Sequence, residues 1–178
     1  LAWHRGGWVG VDMFFVLSGF LVSGLLFTEF KSRHCFSIVR FYMRRGWKIL
    51  PPFATLIAAT LIFSLLSSKQ VRPLSLGAEV LFIQNYLPGL WNHTWSLAVE
   101  QHFYLLLPLV LTCILRWIRS SSIPLRLVFA LEASVAVGGL LLRLLNWRIR
   151  PEYSHLTHLY PSHLRLDALF FGVAISYA

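Results

Sequence analysis

Long apolar runs, almost clear of charge, alternate along this chain with short clusters of arginine and lysine, and that alternation limits the possible folds more than any other feature. A bilayer's hydrocarbon core is roughly 30 Å thick and takes about 20 predominantly apolar residues of helix to cross. The 178 residues would suit either one soluble domain or five to six such spans. Composition and charge placement decide between these. Only 13% of residues are charged and 57% are hydrophobic, with a mean hydropathy of +0.65, whereas ordinary soluble domains carry roughly 25% charged residues. The 16 basic residues gather between the apolar runs, the pattern of a polytopic membrane protein. The expected fold is all-α, a transmembrane helix bundle with about five spans.

Residues 8–27 make the first expected span, with Asp12 near its start and the small pairs Ser18-Gly19 and Ser23-Gly24, which let helices approach closely in lipid. Between Lys31 and Lys48 lie six basic residues against the single acid Glu29, which places this segment in the cytoplasm. A second span is expected over residues 49–67, with Pro51 and Pro52 in its first turn, where their missing N–H groups cost nothing. Residues 68–94 should lie outside, their apolar middle, 80–86, being too short to cross and so re-entrant or interfacial. A third span over 95–115 leads to Arg116 and Arg119 on the inner side, a turn at 120–124, and a fourth span over 125–142 that contains Glu132. Residues 143–165 would then be external although they carry Arg143, Arg148, Arg150 and Arg165. Either these arginines line a polar vestibule or the topology departs from the positive-inside pattern there. A fifth span starts at Leu166 and is cut short. With no initial methionine and an apolar run at its end, the chain is expected to be part of a larger membrane domain, truncated on both sides.

The formal net charge of +9 does not point to nucleic acid, because the basic groups sit at helix ends rather than on a polar surface. Anionic lipid headgroups, topology or a phosphorylated cofactor account for them equally. Cys35 and Cys113 have no metal-like spacing and fall on opposite sides of a span, so neither a disulfide framework nor a metal site is expected of them. His155-x-x-His158 is a weak metal signal, and no resident metal is expected. His93 is expected to cap the start of the third span, and His4 to lie in a loop.

Three clusters could carry chemistry. Asp12 is an acid one turn inside an apolar span, costly there unless paired or functional. Arg44, Arg45 and Lys48 form a positive patch on a helix, suited either to headgroups or to the phosphates of a nucleotide-like cofactor. Ser96, Glu100 and Tyr104 are spaced i, i+4, i+8 and so share one helix face. A carboxylate at Glu100 could orient a donor, abstract a proton or pair with a buried arginine such as Arg165; the spacing does not choose.

At these clusters the sequence resembles the membrane-bound acyltransferase 3 family, which includes bacterial O-acetyltransferases of lipopolysaccharide O-antigen, peptidoglycan and other surface glycans. The resemblance is carried, in order, by Gly-Val-Asp-Met-Phe-Phe-Val-Leu-Ser-Gly-Phe-Leu at 10–21, Phe-Tyr-Met-Arg-Arg-Gly-Trp-Lys-Ile-Leu-Pro at 41–51, Trp-Ser-Leu-Ala-Val-Glu-Gln-His-Phe-Tyr at 95–104 and Arg-Leu-Asp-Ala-Leu-Phe-Phe-Gly at 165–172. It implies a bundle of about ten helices in the bacterial inner membrane. Such a bundle takes an acyl group, typically acetyl, from acyl-coenzyme A on the cytoplasmic side and passes it to a carbohydrate or glycolipid hydroxyl outside.

Carried over by position, Arg45 matches the first arginine of the family's Arg-x-x-Arg pair and Lys48 stands where the second is usual, which keeps the charge but loses the bidentate fork. Arg44 lies beside them as a further phosphate ligand. Glu100 matches the first carboxylate of the family's Glu-Glu-Gln-Phe-Tyr; Gln101 replaces the second, and His102 departs from the pattern. Asp12 would orient the base or pair with Arg165, and Trp95, Ser96, Tyr104, Arg165 and Asp167 are further cavity candidates. The family's base is a histidine on a helix before the Gly-Val-Asp stretch. Direct transfer and a covalent acyl-enzyme both fit, and direct transfer is the expectation, since neither Cys35 nor Cys113 is a convincing nucleophile. The rival readings are a transporter or flippase-like bundle using Asp12, Glu100 and Glu132 as a proton or substrate path, and a catalytically inactive relative acting as a membrane scaffold. Residues 1–178 expressed alone are expected to give no acetyl transfer; detectable turnover would overturn the upstream placement of the base.

Overall fold

The computed structural model describes residues 3–33, 35, 37–67, 70–118 and 125–178, with side chains for all of these except 3–8, 117, 118 and 125. His34, Lys69, Arg119 and the turn expected at 120–124 lie outside the described residues. Among the described residues six α-helices follow one another: α1 (Trp3–Arg33), α2 (Ile38–Leu66), α3 (Pro73–Val80), α4 (Trp95–Ile118), α5 (Leu125–Ile149) and α6 (Leu166–Tyr177), with no strand. Four of these described helices are long and apolar enough to cross a membrane, over Val9–Arg33, Ile38–Leu66, Trp95–Arg116 and Arg126–Ile149, and α6 is a shorter apolar helix. The expected all-α bundle of spanning helices is what forms.

Several boundaries differ from the sequence reading. His4 falls in the first turn of α1 rather than in a loop. Helix α2 begins eleven residues before the expected start at 49, because the Ser37 side chain accepts from the Arg40 N–H and caps it. The basic segment from Arg40 to Lys48 is therefore helical, and Pro51 and Pro52 lie inside α2, not in its first turn. Lipid-facing helices tolerate such prolines where nearby hydroxyls and local adjustment answer the freed backbone. Helix α5 runs on to Ile149 instead of ending near 142, which brings Arg143 into the helix. Residues 80–86 do not span. Val80 ends α3 and residues 81–86 follow it as turns, with Phe82 at a positive φ of 55°.

The core is made by α1, α4 and α6. Phe15, Val22 and Leu26 recur at helical spacing on one face of α1, and Val99, Phe103, Leu107 and Leu111 do the same on α4; all are buried. On α2 and α5 most apolar side chains point away from the core, Leu65 and Leu66 being 81% and 82% exposed, a surface this apolar being suited to lipid rather than water. α1 and α6 make the most extensive helix contact. Their backbones touch because each helix sets a glycine against a carbonyl of the other: a Cβ on Gly19 would lie 2.0 Å from the Leu169 carbonyl oxygen, and one on Gly172 would lie 2.1 Å from that of Val16. Ser23, fully buried one turn on, turns its hydroxyl back to the Gly19 carbonyl at 2.7 Å and so satisfies it within α1. Across the bundle, Tyr42 of α2 donates to the Leu105 carbonyl of α4 at 2.9 Å, one turn before the interruption at Pro108.

A side chain at Gly172 must push α1 and α6 apart, an overpacking that costs roughly 1–3 kcal/mol or more. Gly172→Val is expected to lower the melting temperature of the detergent-solubilised protein by several degrees, with Gly77→Ala, which has open space around it, as the unaffected control. Equal melting of Gly172→Val and wild type would refute the contact.

Candidate active site

Three helices bring four polar side chains together between apolar layers. Ser18 stands midway along α1, Glu100 and Tyr104 lie one turn apart on α4, and Arg45 reaches in from α2. The Ser18 and Tyr104 hydroxyls share a hydrogen bond of 2.5 Å. Glu100 is within hydrogen-bonding reach of both hydroxyls and within electrostatic reach of Arg45. The Arg45 guanidinium sits 4.9 Å above the centre of the Tyr104 ring, a cation–π contact that strengthens where water is excluded. Ser18, Glu100 and Tyr104 are each at most 8% exposed. Glu100 Oε1 has no partner among the described residues, so the cluster has acceptor capacity left for a bound molecule.

Of Arg44, Arg45 and Lys48, Arg45 is the one that faces the Tyr104 ring. Neighbouring positions on a helix are turned by about 100°, so Arg44 leaves α2 to one side of Arg45 and lines an open groove of about 610 Å³ with Arg33, Arg40, Glu29, Thr28 and Ser32. Within that groove Arg40 donates to Glu29 at 2.7 Å and ties α2 to α1. Lys48 is exposed. Ser96 also stays out of the cluster despite its spacing, its hydroxyl turning back to the His93 carbonyl at 3.2 Å. Ser18, read in the sequence only as a small packing residue, takes the place expected of it.

Asp12 and Arg165 pair with each other, Arg165 Nη1 lying 3.0 and 3.2 Å from the two Asp12 oxygens while its Nε donates to the Leu159 carbonyl. The alternative pairing of Arg165 with Glu100 is therefore excluded. Asp167 pairs with Arg143 at 2.6 Å, and Arg143 also donates to the Leu164 carbonyl. These two pairs answer half of the apparent excess of arginine over residues 143–165. Asp12, Glu132, Arg143 and Asp167 line a cavity of about 360 Å³ between α1, α5 and α6. Glu100 is not among its walls, so the chain of Asp12, Glu100 and Glu132 that a transporter would use is divided between two places.

A second polar layer, missed in the sequence, covers the end of the bundle away from Arg33 and Arg40. Glu79 is fully buried, and its Oε1 accepts from the Leu90 N–H, the Trp91 N–H and the Thr94 hydroxyl. Thr94, not His93, immediately precedes α4. Asn85, also fully buried, donates to Ser162 Oγ at 2.8 Å, and Ser162 Oγ lies 2.6 Å from Nδ1 of His102. Trp95 stacks on Tyr160 with ring centres 4.8 Å apart. Tyr86 stacks on His163 and its hydroxyl meets His163 Nδ1 at 3.1 Å. Burial raises the pKa of Tyr160, with Tyr153 adding to it, and lowers that of His163, so both rings are neutral at pH 7.

The model of the acyltransferase domain matches residues 3–177. The chain is similar to the peptidoglycan O-acetyltransferase OatA of Listeria monocytogenes, at 29% identity over 76% of this chain and 25% of that protein. It is similar also to the O-acetyltransferase OatA of Staphylococcus aureus, at 30% identity over 68% of this chain and 23% of that protein. The chain thus spans about a quarter of the length of these curated relatives. No solved structure matches it. A family model that covers nearly every residue, on a chain with four membrane-length helices, leaves one conclusion: this multi-pass membrane chain belongs to the acyltransferase domain family.

Proposed function

We propose that the whole protein is an O-acyltransferase of the bacterial cell membrane, taking an acyl group, acetyl above all, from acyl-coenzyme A at the cytoplasmic face and passing it to a hydroxyl of a cell-surface carbohydrate. The observation that carries this reading is the convergence of Arg45, Ser18, Tyr104 and Glu100 from three helices in an apolar bundle. Charged groups are rare inside membranes and tend to mark functional paths. The basic end of the bundle, with Lys31, Arg33, Arg40 and Arg44, agrees with a cytoplasmic face that attracts a polyanionic donor. The names of the relatives support acetyl as the group and a cell-wall glycan as the acceptor.

In this reading Arg45, with Arg44 and Lys48 nearer the surface, holds the donor's phosphates or thioester end. The Ser18 and Tyr104 hydroxyls, bonded to each other and within reach of Glu100, hold that carboxylate beside Arg45 along the path of the donor's thioester arm. Glu100 orients those hydroxyls and balances Arg45. Asp12 acts through Arg165, holding the loop before α6 against α1. The transporter reading, which finds support in the acid-lined cavity at Asp12 and Glu132, predicts transport without acyl transfer.

The test uses the whole protein in membrane vesicles with radiolabelled acetyl-coenzyme A. Glu100→Gln is expected to reduce transfer about 100-fold, since it disorders the groups that place the donor's reactive end. Arg45→Ala is expected to cost about tenfold or more, chiefly in the KM for the donor, with Arg45→Lys intermediate. Wild-type turnover in both Glu100→Gln and Arg45→Ala would sink the assignment.

A further inference from the structure

The chain holds a second group of residues with the makings of a reactive centre, on another face of α4. His102 lies two positions after Glu100, so its side chain leaves the helix about 200° further round and meets the loop before α6 instead of α1. There, Nδ1 of His102 stands 2.6 Å from Ser162 Oγ. The same imidazole lies within hydrogen-bonding reach of the Phe82 backbone, and Phe82 is the one non-glycine residue with positive φ among those described. A bulky residue in that conformation costs energy and marks a position the surroundings impose. With the far side of the ring fixed, Nδ1 is the nitrogen presented to the serine. Asn85 Nδ2 donates to Ser162 Oγ at 2.8 Å from the other side.

These are the parts of an activated nucleophile: a hydroxyl, a base at hydrogen-bond distance, and a third group that sets the base's orientation. Two further facts separate the arrangement from a plain interhelical hydrogen bond. The buried amide atoms Asn85 Oδ1 and Gln101 Nε2 have no partner among the described residues, and both belong to residues flanking this pair in sequence or in space. Beside His102, the ring of Tyr86 lies 6.2 Å away and is itself 44% exposed, while Ser162 is 4% exposed, so the buried serine lies next to a residue at the bundle surface.

We infer that Ser162 carries the acyl group as a covalent ester during transfer, with His102 as its base. The inference rests on the acyltransferase reading for its donor, an acyl thioester. Ser162 Oγ attacks the thioester carbonyl carbon while its proton passes to His102 Nδ1. The C–S bond then breaks, and the leaving thiol takes that proton. In the second half a carbohydrate hydroxyl attacks the serine ester and gives its proton to Nδ1; the bond from the acyl carbon to Ser162 Oγ breaks, and Oγ recovers the proton. No oxidant or metal enters, and His102 ends as it began.

Whole protein in membrane vesicles, given radiolabelled acetyl-coenzyme A without acceptor and quenched in acid, should carry label on the peptide containing Ser162. Ser162→Ala should lose that label, and His102→Gln should acquire it about 100-fold more slowly. Ser162→Cys retains a nucleophile in the same place and should carry label as a thioester that neutral hydroxylamine releases, while the serine ester of the wild type withstands it. Thermal melting of each variant, read in parallel, identifies those that fold. A folded Ser162→Cys that takes no label, label on another residue in the wild type, or wild-type transfer by Ser162→Ala overturns the proposal and leaves the acyltransferase reading standing. A wild type that neither takes nor transfers acetyl from this donor overturns both.

Discussion

Backbone contact between α1 and α6 is the constraint on which the other placements depend. Apolar side chains gain nothing by leaving lipid for one another, so helices in a bilayer associate through close packing and interhelical polar contacts. Gly19 and Gly172 allow that closeness, each standing against the carbonyl of the opposite helix. Once they meet, Ser18, next to Gly19, is turned toward α4, where it finds Tyr104. The start of α6 is likewise brought beside α1, so that Arg165 reaches Asp12 across 153 residues of sequence. The position of Ser162, three residues before Arg165, follows from the same contact.

Charge inside this bundle falls into two kinds. Asp12 with Arg165, and Asp167 with Arg143, are pairs whose arginines also donate to backbone carbonyls, so they fasten the loop before α6 to its neighbours. Removing one partner of a well-buried pair of this kind costs roughly 3–5 kcal/mol, less here because Arg143 is 38% exposed. Arg45 and Glu100 differ. Neither is held by a salt bridge within 4.0 Å among those described, and their company is two hydroxyls and an aromatic ring. Groups left with capacity for further bonds are the ones able to respond to a substrate.

Much of the fold was legible because the hydrophobic signal extends over whole helices. The apolar stretches of α1, α2, α4 and α5 were all visible, and the errors lie at their ends, where charge was taken for loop. Arg40 to Lys48 reads as a basic connection, yet the Ser37 cap starts the helix before it; Arg143 reads as external, yet it is neutralised inside α5 by Asp167. The site was legible only where its members share a helix. Glu100 and Tyr104 are one turn apart, and their spacing shows it. Ser18 is 86 residues from Tyr104, and in a run of small residues nothing distinguishes a serine that packs from one that bonds. His102 and Ser162 are 60 residues apart, and Phe82, the residue beside His102 that takes the positive φ, is neither a glycine nor an asparagine that would announce it.

The central claim is that a donor entering at the arginine-rich end reaches the Arg45 and Tyr104 cluster. It is tested most directly by a photoreactive acyl-coenzyme A applied to sealed membrane vesicles of known orientation. Inside-out vesicles should give crosslinks on the α2 and α4 peptides around Arg45 and Tyr104, competed away by acetyl-coenzyme A, and right-side-out vesicles should give none. Labelling confined to right-side-out vesicles, or crosslinks that avoid both peptides, would contradict the account.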